Sequence, residues 1–192
     1  MAADNPLRIL IMAGGTGGHV IPALSVAEYL RSLDVQLAWL GTRAGIEADL
    51  VPANDIQIHF LDIEGLRGRG LRVALKAPLL LWRSIRQALS VLAEFQPQVI
   101  LGMGGFASGP GAVAAWLKRI PIVIHEQNSI AGTTNRITAL FARRVLQGFP
   151  DTLARGEWLG NPVRPNISQL PHPEQRLSHR SGKLRLLILG GS

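Results

Sequence analysis

The residue types best suited to chemistry stand in the run Gly14-Gly15-Thr16-Gly17-Gly18-His19, which follows the apolar segment 8–12. Glycine lets the backbone turn sharply and approach a ligand closely, because it has no Cβ atom. A helix that begins after such a turn directs free N–H groups and partial positive charge toward an anion. The sequence therefore predicts a turn that binds phosphate or pyrophosphate. Its histidine is a candidate general base, because a neutral imidazole accepts a proton near pH 7.

A second pair of candidate groups, His125 and Glu126, follows the apolar segment 120–124. If both apolar segments are strands of one parallel sheet, their carboxyl ends lie at the same edge, where ligands of such folds bind. The carboxylate is then a second candidate for the base, or it could orient a substrate hydroxyl. A structural alternative stays open: His19 could only hold its turn or a phosphate, and the second pair could only tie down its own loop.

The composition excludes several classes of protein. No cysteine occurs among the 192 residues, so disulfides and thiolate zinc sites are excluded, and 47% hydrophobic residues indicate a globular chain. The apolar segment 9–13 is too short for a secretory signal. No apolar stretch approaches the roughly 18 residues of a membrane-spanning helix. We therefore expect a protein that is neither secreted by this route nor integral to a membrane.

The net charge of +7 raises the question of a polyanionic partner. Nucleic-acid surfaces combine grouped basic residues with stacking aromatics, whereas this chain has 5% aromatic residues and groups its basic residues only around 67–86. We predict no nucleic-acid partner. The basic group favours an anionic membrane surface or a small polyanionic ligand.

Apolar segments that could form strands alternate with segments at helical spacing. Strands are predicted at 8–12, 35–40, 56–61, 99–101, 120–124 and 144–147, and helices at 20–33, 75–92, 111–117 and 135–142. This alternation is typical of βαβ units. The sequence predicts an α/β fold, a Rossmann-like parallel sheet with helices on both faces.

Residues 160–181 break both periodicities and indicate a linker between domains. The segment 184–192 then repeats the opening theme of an apolar strand that runs into glycines, and so does the segment 99–105. We expect residues 1–164 to form an N-terminal domain. Residues 165–192 would contain the linker and the first strand of a second, truncated domain.

Known phosphate-binding fingerprints match the first turn poorly. The third glycine of a G-x-G-x-x-G pattern falls on Val20, and no lysine follows the glycines as a Walker loop requires. A dinucleotide site also needs an acidic residue roughly 20 residues beyond the turn, where this chain has Gly41-Thr42-Arg43. Arg43 would suit a phosphorylated ribose, so an NADP-dependent oxidoreductase remains an alternative.

Six motifs, taken in order, resemble the MurG family, the undecaprenyl-diphospho-muramoylpentapeptide N-acetylglucosaminyltransferases of bacterial peptidoglycan synthesis. They are Gly14-Gly15-Thr16-Gly17-Gly18-His19, the segment 41–52, Gly65-Leu66-Arg67-Gly68, Gly102-Met103-Gly104-Gly105, His125-Glu126-Gln127-Asn128 and Gly160-Asn161-Pro162-Val163-Arg164. The resemblance extends from about residue 8 to residue 192. Six ordered motifs are far more specific than one glycine turn.

The resemblance implies the N-terminal, acceptor-binding half of a two-domain GT-B glycosyltransferase. The implied reaction moves N-acetylglucosamine from UDP-GlcNAc to the 4-hydroxyl of the muramoyl sugar of lipid I, the undecaprenyl-diphosphate-linked MurNAc-pentapeptide, with inversion at the anomeric carbon. Most donor-binding residues of the family would lie beyond Ser192, so a chain ending there is not expected to turn over alone. No metal or other cofactor is implied, because the family does not require an Asp-x-Asp site.

The family's residue roles carry over to matching positions of this sequence. His19 and Glu126 are the candidates for the catalytic base. The implied donor-binding residues are Thr16, Gly17, Gly18, Asn128, Arg164 and Ser192. The implied acceptor-binding residues are Gly104, Gly105, His125 and Asn135.

Membrane contact is predicted for the segment 71–90, in which apolar residues at helical spacing are flanked by basic ones. A helix packed on the sheet through the same residues is the structural alternative. Because the family's acceptor is a membrane lipid, we expect exposure of Leu75, Leu79 and Trp82, beside Trp116. The implied location is the cytoplasmic face of the bacterial inner membrane, as a peripheral protein. A non-catalytic module that binds lipid diphosphates remains the other alternative.

Overall fold

The computed structural model describes residues 6–63, 71–178, 180–183 and 185–187, and within residues 71–76 it describes the backbone alone. The strands are Arg8–Ala13 (β1), Gln36–Gly41 (β2), Gln57–Phe60 (β3), Val99–Gly104 (β4), Ile122–Glu126 (β5), Arg144–Gln147 (β6) and Glu157–Trp158 (β7). They form one sheet in the order β3-β2-β1-β4-β5-β6-β7, and all pairings are parallel. The predicted parallel sheet is confirmed.

Helices connect the strands of this sheet. They are Gly17–Arg31 (α1), Glu47–Leu50 (α2), Leu71–Phe95 (α3), Ser108–Leu117 (α4), Thr133–Ala139 (α5), Pro165–Ser168 (α6) and Pro173–Leu177 (α7), with a 3-10 turn at Pro52–Asn54. No helix within the described ranges is long and apolar enough to cross a membrane.

The hydrophobic core lies on both faces of the sheet, because side chains alternate along each strand. In β1, Leu10 and Met12 pack with Ala88 and Leu92 of α3 in one cluster. The second cluster lies on the other face, where Ile9, Ile11 and Ala13 of β1 pack with residues of α1. These α1 residues are Val20, Ala23 and Ala27. The helices therefore cover both faces, as the sequence predicted.

Several element boundaries differ from the predicted ones. Helix α1 begins at Gly17 and not at residue 20, because the glycines themselves adopt helical conformation. Helix α3 begins at Leu71, so Pro78 lies inside it and not near its start. The elements α2, α6, α7 and β7 were not predicted, since two to five residues are too few to show a hydrophobic period.

The predicted linker contains the exposed single-turn helices α6 and α7. A strand was also predicted in the segment 184–192. Its residues 185–187 have irregular backbone in the structure, and its other residues lie outside the described ranges. The predicted division into two domains therefore stays a prediction.

The strand order reverses between β1 and β4. From β1 the chain first builds β2 and β3 on one side, and then crosses to β4, β5, β6 and β7 on the other. In an open parallel sheet, such a switch point leaves a crevice at the carboxyl ends of the strands, where ligands bind. The glycine turns that follow β1 and β4 flank this crevice.

Candidate functional site at the carboxyl edge of the sheet

The first glycine turn presents its backbone to open space. Gly15 has φ +90°, and apart from its chain neighbours no atom of the described residues lies within 4 Å of the position a Cβ atom would take there. Thr16 precedes α1, and its carbonyl accepts from the N–H groups of His19 and Val20, both at 3.1 Å. Within the described residues, no acceptor lies at the N–H groups of Gly17 and Gly18. A helix start with free donors and no acidic side chain suits an anion.

The second glycine turn packs directly against the first. The Gly14 N–H donates to the Gly104 carbonyl at 3.2 Å. Gly105 has φ +94°, and a Cβ atom there would collide with the Gly14 backbone. Gly104 has φ +104°, and a Cβ atom there would lie 2.8 Å from the His19 ring. Gly105 is therefore required for the close approach of the two turns, and Gly104 for the close approach of the His19 ring.

A buried carboxylate, Glu47, binds the backbone of the first glycine turn. Its Oε2 accepts from the Gly15 N–H at 2.9 Å. Its Oε1 accepts from the N–H and the hydroxyl of Thr42 at 2.9 and 2.8 Å. The side chain is 0% exposed, and three glycines leave room for it, namely Gly14, Gly41 and Gly45. Glu47 thus joins the turn after β1 to the loop after β2.

A second buried carboxylate, Glu126, organises the loop after β5. Its Oε1 accepts from the backbone and side-chain N–H groups of Asn128 at 3.0 and 2.9 Å. Its Oε2 accepts from the Gly132 N–H at 3.0 Å and from Asn135 Nδ2 at 2.9 Å. Burial favours the protonated acid, but these donors outweigh it, and the pKa of Glu126 lies below its ordinary value.

This environment separates the two candidates for the base. Glu126 is 0% exposed, and both of its oxygens are occupied by donors. A carboxylate stabilised in its charged form has little tendency to accept a proton near neutral pH. The contacts therefore give Glu126 a loop-ordering role, which is the structural alternative considered above, and leave His19 as the other candidate for the base.

Gln127 connects the two histidines of the site. His19 Nδ1 lies 3.0 Å from Gln127 Oε1, and Gln127 Nε2 lies 3.2 Å from His125 Nδ1. His125 Nε2 donates to the Gly160 carbonyl at 2.9 Å. Burial lowers the pKa of His125 despite the opposing effects of that carbonyl and of Glu126. His125 is therefore neutral near pH 7, and both of its ring nitrogens are engaged.

The segment that leads into the predicted linker closes this side of the site. Gly160 has φ +81°, which favours glycine, and it supplies the carbonyl to His125. Asn161 Nδ2 donates to the backbone carbonyl of Gln127 at 3.0 Å. The end of β5 and the start of the linker are thus held together by side chains.

The remaining predicted site residues differ in accessibility. Asn128 is exposed, and its backbone and side-chain N–H groups both donate to Glu126. Among the described residues no donor lies at its side-chain oxygen, which is therefore available to a ligand. Asn135 is buried and donates to Glu126, which gives it a supporting position and not a surface one. Arg164 is exposed beside α6. Ser192 and the motif at residues 65–68 lie outside the described residues.

Three of the predicted membrane residues are exposed on two neighbouring helices. Leu79 and Trp82 of α3 are 51% and 53% exposed, and Trp116 of the neighbouring α4 is 59% exposed. The Arg86 guanidinium lies over the Trp82 ring at 4.9 Å. The side chain of Leu75 lies outside the described residues.

Arg43, the residue that kept the NADP alternative open, stacks on an aromatic ring. Its guanidinium carbon lies 4.6 Å from the centre of the Phe60 ring. The acidic residue of the loop that follows β2, Glu47, is buried under the glycine turn and is not available to a ribose. The geometry therefore does not favour a dinucleotide site.

Sequence reasoning missed two residues that order the site, Glu47 and Gln127. Both stand in the quoted motifs, but neither received a role. Their partners lie 32 and 108 residues away in the chain, at Gly15 and His19. The available signal was a glutamate six residues after Gly41 and two after Gly45, because small neighbours leave room for a buried side chain.

Comparison with known proteins places this site in a family. Residues 9–147 match the glycosyltransferase family 28 N-terminal domain. A protein of Alkalilimnicola ehrlichii is 57% identical over 188 residues, which cover 97% of this chain and 53% of that protein. One of Serratia proteamaculans is 53% identical over 190 residues, which cover 99% and 54%. Both are named UDP-N-acetylglucosamine–N-acetylmuramyl-(pentapeptide) pyrophosphoryl-undecaprenol N-acetylglucosamine transferase. The chain spans about half the length of these relatives.

Solved structures agree with this match. The crystal structure of Acinetobacter baumannii MurG superposes with a TM-score of 0.76 at 33% identity, over 93% of this chain and 50% of that one. A UDP-N-acetylglucosamine 2-epimerase from Rickettsia bellii has a TM-score of 0.58 at 14% identity, over 91% and 48%, and shows the fold alone. The chain therefore belongs to glycosyltransferase family 28 and carries that family's N-terminal domain in residues 9–147, which confirms the resemblance to the MurG family inferred from its motifs.

Proposed function

We propose that this chain forms the acceptor-binding half of an inverting glycosyltransferase that moves N-acetylglucosamine from UDP-GlcNAc to the 4-hydroxyl of lipid I. The observation that carries the proposal is the packing of two glycine turns at the switch point of the sheet, with the His19 ring against Gly104. The names of the relatives from Serratia proteamaculans and Alkalilimnicola ehrlichii support the substrates.

The two turns suit two diphosphates. The free N–H groups at the start of α1 would bind phosphate of the donor, and the turn at Gly104 and Gly105 would bind the diphosphate of the lipid acceptor. Donors fixed in place before the reaction stabilise the negative charge that develops on the departing UDP. The exposed side-chain oxygen of Asn128 would accept from a donor hydroxyl, since Glu126 already engages its N–H group.

His19 would act as the base of a single displacement. Its imidazole accepts the proton of the acceptor 4-hydroxyl while that oxygen attacks the anomeric carbon of N-acetylglucosamine. The new bond joins the 4-oxygen to the anomeric carbon, and the bond from that carbon to the UDP oxygen breaks. Configuration inverts, because attack and departure occur on opposite faces.

The exposed apolar surface would hold the protein on the membrane that contains the acceptor. Leu79, Trp82 and Trp116 form this surface, and the exposed Arg83 and Arg86 would bind anionic headgroups. Family membership supports attachment as a peripheral protein at the cytoplasmic face of the inner membrane.

Calorimetry with the 192-residue chain tests the assignment of this half. A soluble lipid I analogue should bind, and UDP-GlcNAc should bind weakly or not at all. Gly105→Ala should weaken acceptor binding, because its φ of +94° and the Gly14 backbone leave no room for a methyl group. Gly182→Ala is the matched control, since it changes a glycine with φ +99° that directly follows the predicted linker. Binding of the donor alone would contradict the proposal.

Transfer can be measured with this chain joined to the C-terminal half of the Serratia proteamaculans relative. His19→Ala should lower kcat by about 10²- to 10⁴-fold, the usual contribution of a general base, with a smaller change in KM. His172→Ala, at an exposed histidine of the predicted linker, is the matched control. Full activity of His19→Ala would exclude His19 as the base.

Liposome flotation tests the membrane surface. Leu79→Ser with Trp82→Ser should weaken binding to vesicles that contain anionic lipid, without unfolding the chain. Tyr29→Ser with Leu33→Ser is the matched control, because these residues are also exposed but lie at the end of α1 on the opposite face of the sheet. Equal loss of binding in both variants would contradict the proposed surface.

A further inference from the structure

The orientation of the Gln127 side-chain amide is fixed by its surroundings. One amide atom lies 2.8 Å from the backbone carbonyl oxygen of His125, which can only accept a hydrogen bond. That atom must therefore be the nitrogen, Nε2. The same nitrogen lies 3.2 Å from His125 Nδ1 and 3.7 Å from Met103 Sδ, which also accept. The amide oxygen of Gln127 consequently faces His19.

This orientation determines which nitrogen of His19 carries the proton. His19 Nδ1 lies 3.0 Å from Gln127 Oε1, an oxygen that has no hydrogen to donate. Nδ1 must therefore be the donor. In a neutral imidazole the other nitrogen, Nε2, then holds the lone pair. Within the described part of the chain, no hydrogen-bond partner lies at Nε2. This nitrogen is not fully buried, so a ligand can reach it.

Gln127 is itself held in place by its neighbours. Its side chain is buried, as is that of His125. His125 donates from Nε2 to the Gly160 carbonyl, which leaves His125 Nδ1 as an acceptor for Gln127. Asn161 binds the Gln127 backbone carbonyl. From the Gly160 carbonyl through His125 and Gln127 to His19, each hydrogen-bond donor therefore faces an acceptor. No other pair of neutral tautomers of His125 and His19 satisfies every one of these contacts.

We propose that Gln127 is a positioning residue that holds neutral His19 in the Nδ1–H tautomer, so that the Nε2 lone pair is available to accept the proton of the attacking hydroxyl. His125 and Gly160 support this role by fixing the amide of Gln127. The proposal rests on the proposed function only in assigning His19 as the base. The tautomer itself follows from the contacts and can be observed without substrates.

NMR of the chain labelled with ¹⁵N-histidine tests the tautomer directly. Long-range ¹H–¹⁵N correlations at pH 8 distinguish a nitrogen that carries hydrogen from one with a free lone pair. We expect a protonated Nδ1 and an unprotonated Nε2 for His19. In Gln127→Met the acceptor at Nδ1 is lost, and the Nε2–H tautomer should become populated. A protonated Nε2 in the unchanged chain would overturn the proposal.

A matched control separates this effect from general loss of packing. Gln147 is also a buried glutamine at the end of a strand, where its oxygen accepts from the Leu153 N–H at 2.9 Å. Gln147→Met should lower stability to a similar degree and leave the His19 tautomer unchanged. If Gln127→Met folds and keeps the Nδ1–H tautomer, Gln127 has no positioning role.

The kinetics of transfer by the joined enzyme provide a second readout. Gln127→Met should lower kcat roughly tenfold or more with a smaller change in KM, because the lone pair of the base is misplaced. Unchanged kcat in a folded Gln127→Met enzyme would contradict the proposed positioning role.

The two readouts distinguish failure of this inference from failure of the proposed function. A His19 tautomer that does not depend on Gln127 overturns the positioning role, whatever the activity. If His19→Ala retains full transfer while the His19 tautomer is as expected, the contact between Gln127 and His19 is correct, but His19 is not the base. The proposal then fails because the proposed function on which it rests has failed.

Discussion

Two buried carboxylates at the same edge of the sheet order the site in different ways. Glu47 accepts from Gly15 and Thr42, which belong to the loops after two different strands. Glu126 accepts from residues that all lie within nine positions of it, in the loop after its own strand. One carboxylate joins distant segments, and the other shapes a single loop.

This difference indicates which segments each carboxylate stabilises. Loss of Glu47 should separate the first glycine turn from the loop after β2 and leave buried N–H groups without acceptors. Loss of the Glu126 charge should loosen residues 127–135, while the contact between the glycine turns persists. Both carboxylates are 0% exposed, so the comparison is between two kinds of connection and not between two degrees of burial.

The largest effect is expected for Glu47→Ala. Three hydrogen bonds to the carboxylate are lost and a cavity remains beneath Gly14 and Gly45, so the free energy of unfolding should fall by about 3 kcal/mol. Urea unfolding at pH 7 measures this. Glu28→Ala, on the surface of α1, is the control and should change it by less than about 0.5 kcal/mol. If Glu47→Ala is as stable as Glu28→Ala, water has replaced the Glu47 oxygens as the acceptor of the three hydrogen bonds.

A smaller effect is expected for Glu126→Gln. One of the two oxygens becomes an NH₂ group that faces donors, so the free energy of unfolding at pH 7 should fall by about 2 kcal/mol. Hydrogen exchange should increase mainly in residues 127–135, whereas Glu47→Ala should increase it in the glycine turns. If Glu126→Gln also affects the first turn, the proposed contrast between local and distant connection is wrong.

The pH dependence of that loss follows from the lowered pKa of Glu126. The unfolded chain takes up the proton near the ordinary value of 4.5, before the folded chain does, so the contribution of Glu126 is present above that pH and declines below it. The stability difference between the wild-type chain and Glu126→Gln should therefore narrow as the pH falls from 7 to below 4.5. A difference that stays constant with pH would contradict the lowered pKa.

The smallest effects concern the glycines beside each carboxylate. A methyl group at Gly45 would collide with the pinned Glu47 carboxylate, so Gly45→Ala should cost about 1–2 kcal/mol. At Gly132, with φ −65°, the new Cβ atom would lie 3.9 Å from Glu126 Oε2, in ordinary contact, so Gly132→Ala should change stability by less than about 0.5 kcal/mol. Thermal unfolding of both variants under the same conditions checks the order, and reversal would show that the Glu126 loop is the tighter one.

The parallel sheet and its helices could be predicted because they depend on local patterns. Apolar strands of four to six residues alternate with segments at helical spacing, and burial on both faces follows from that alternation. The first turn was recognised because Gly14, Gly15, Gly17 and Gly18 directly follow an apolar segment. The single-turn helices and β7 were missed, since elements of that length carry no period.

The candidate site was predicted as a set of positions, but not as a set of contacts. His125 and Glu126 were assigned together from their place after the apolar segment 120–124, whereas in the structure they are the last two residues of β5 and have different surroundings. The imidazole is held neutral by burial, and the carboxylate is held charged by its donors. Burial and hydrogen-bond partners decide such roles, and neither is visible in a sequence.

The sequence by itself determined the fold class, the glycine turns and the family, because hydrophobic period, glycine placement and motif order are written along the chain. Only the tertiary structure decided how the chemical groups are connected. Gly104 meets His19 across 85 residues, and Gln127 meets it across 108. The reason is physical: the proton position on His19 depends on which atom of another side chain faces it, and that is fixed only when β1, β4 and β5 lie side by side.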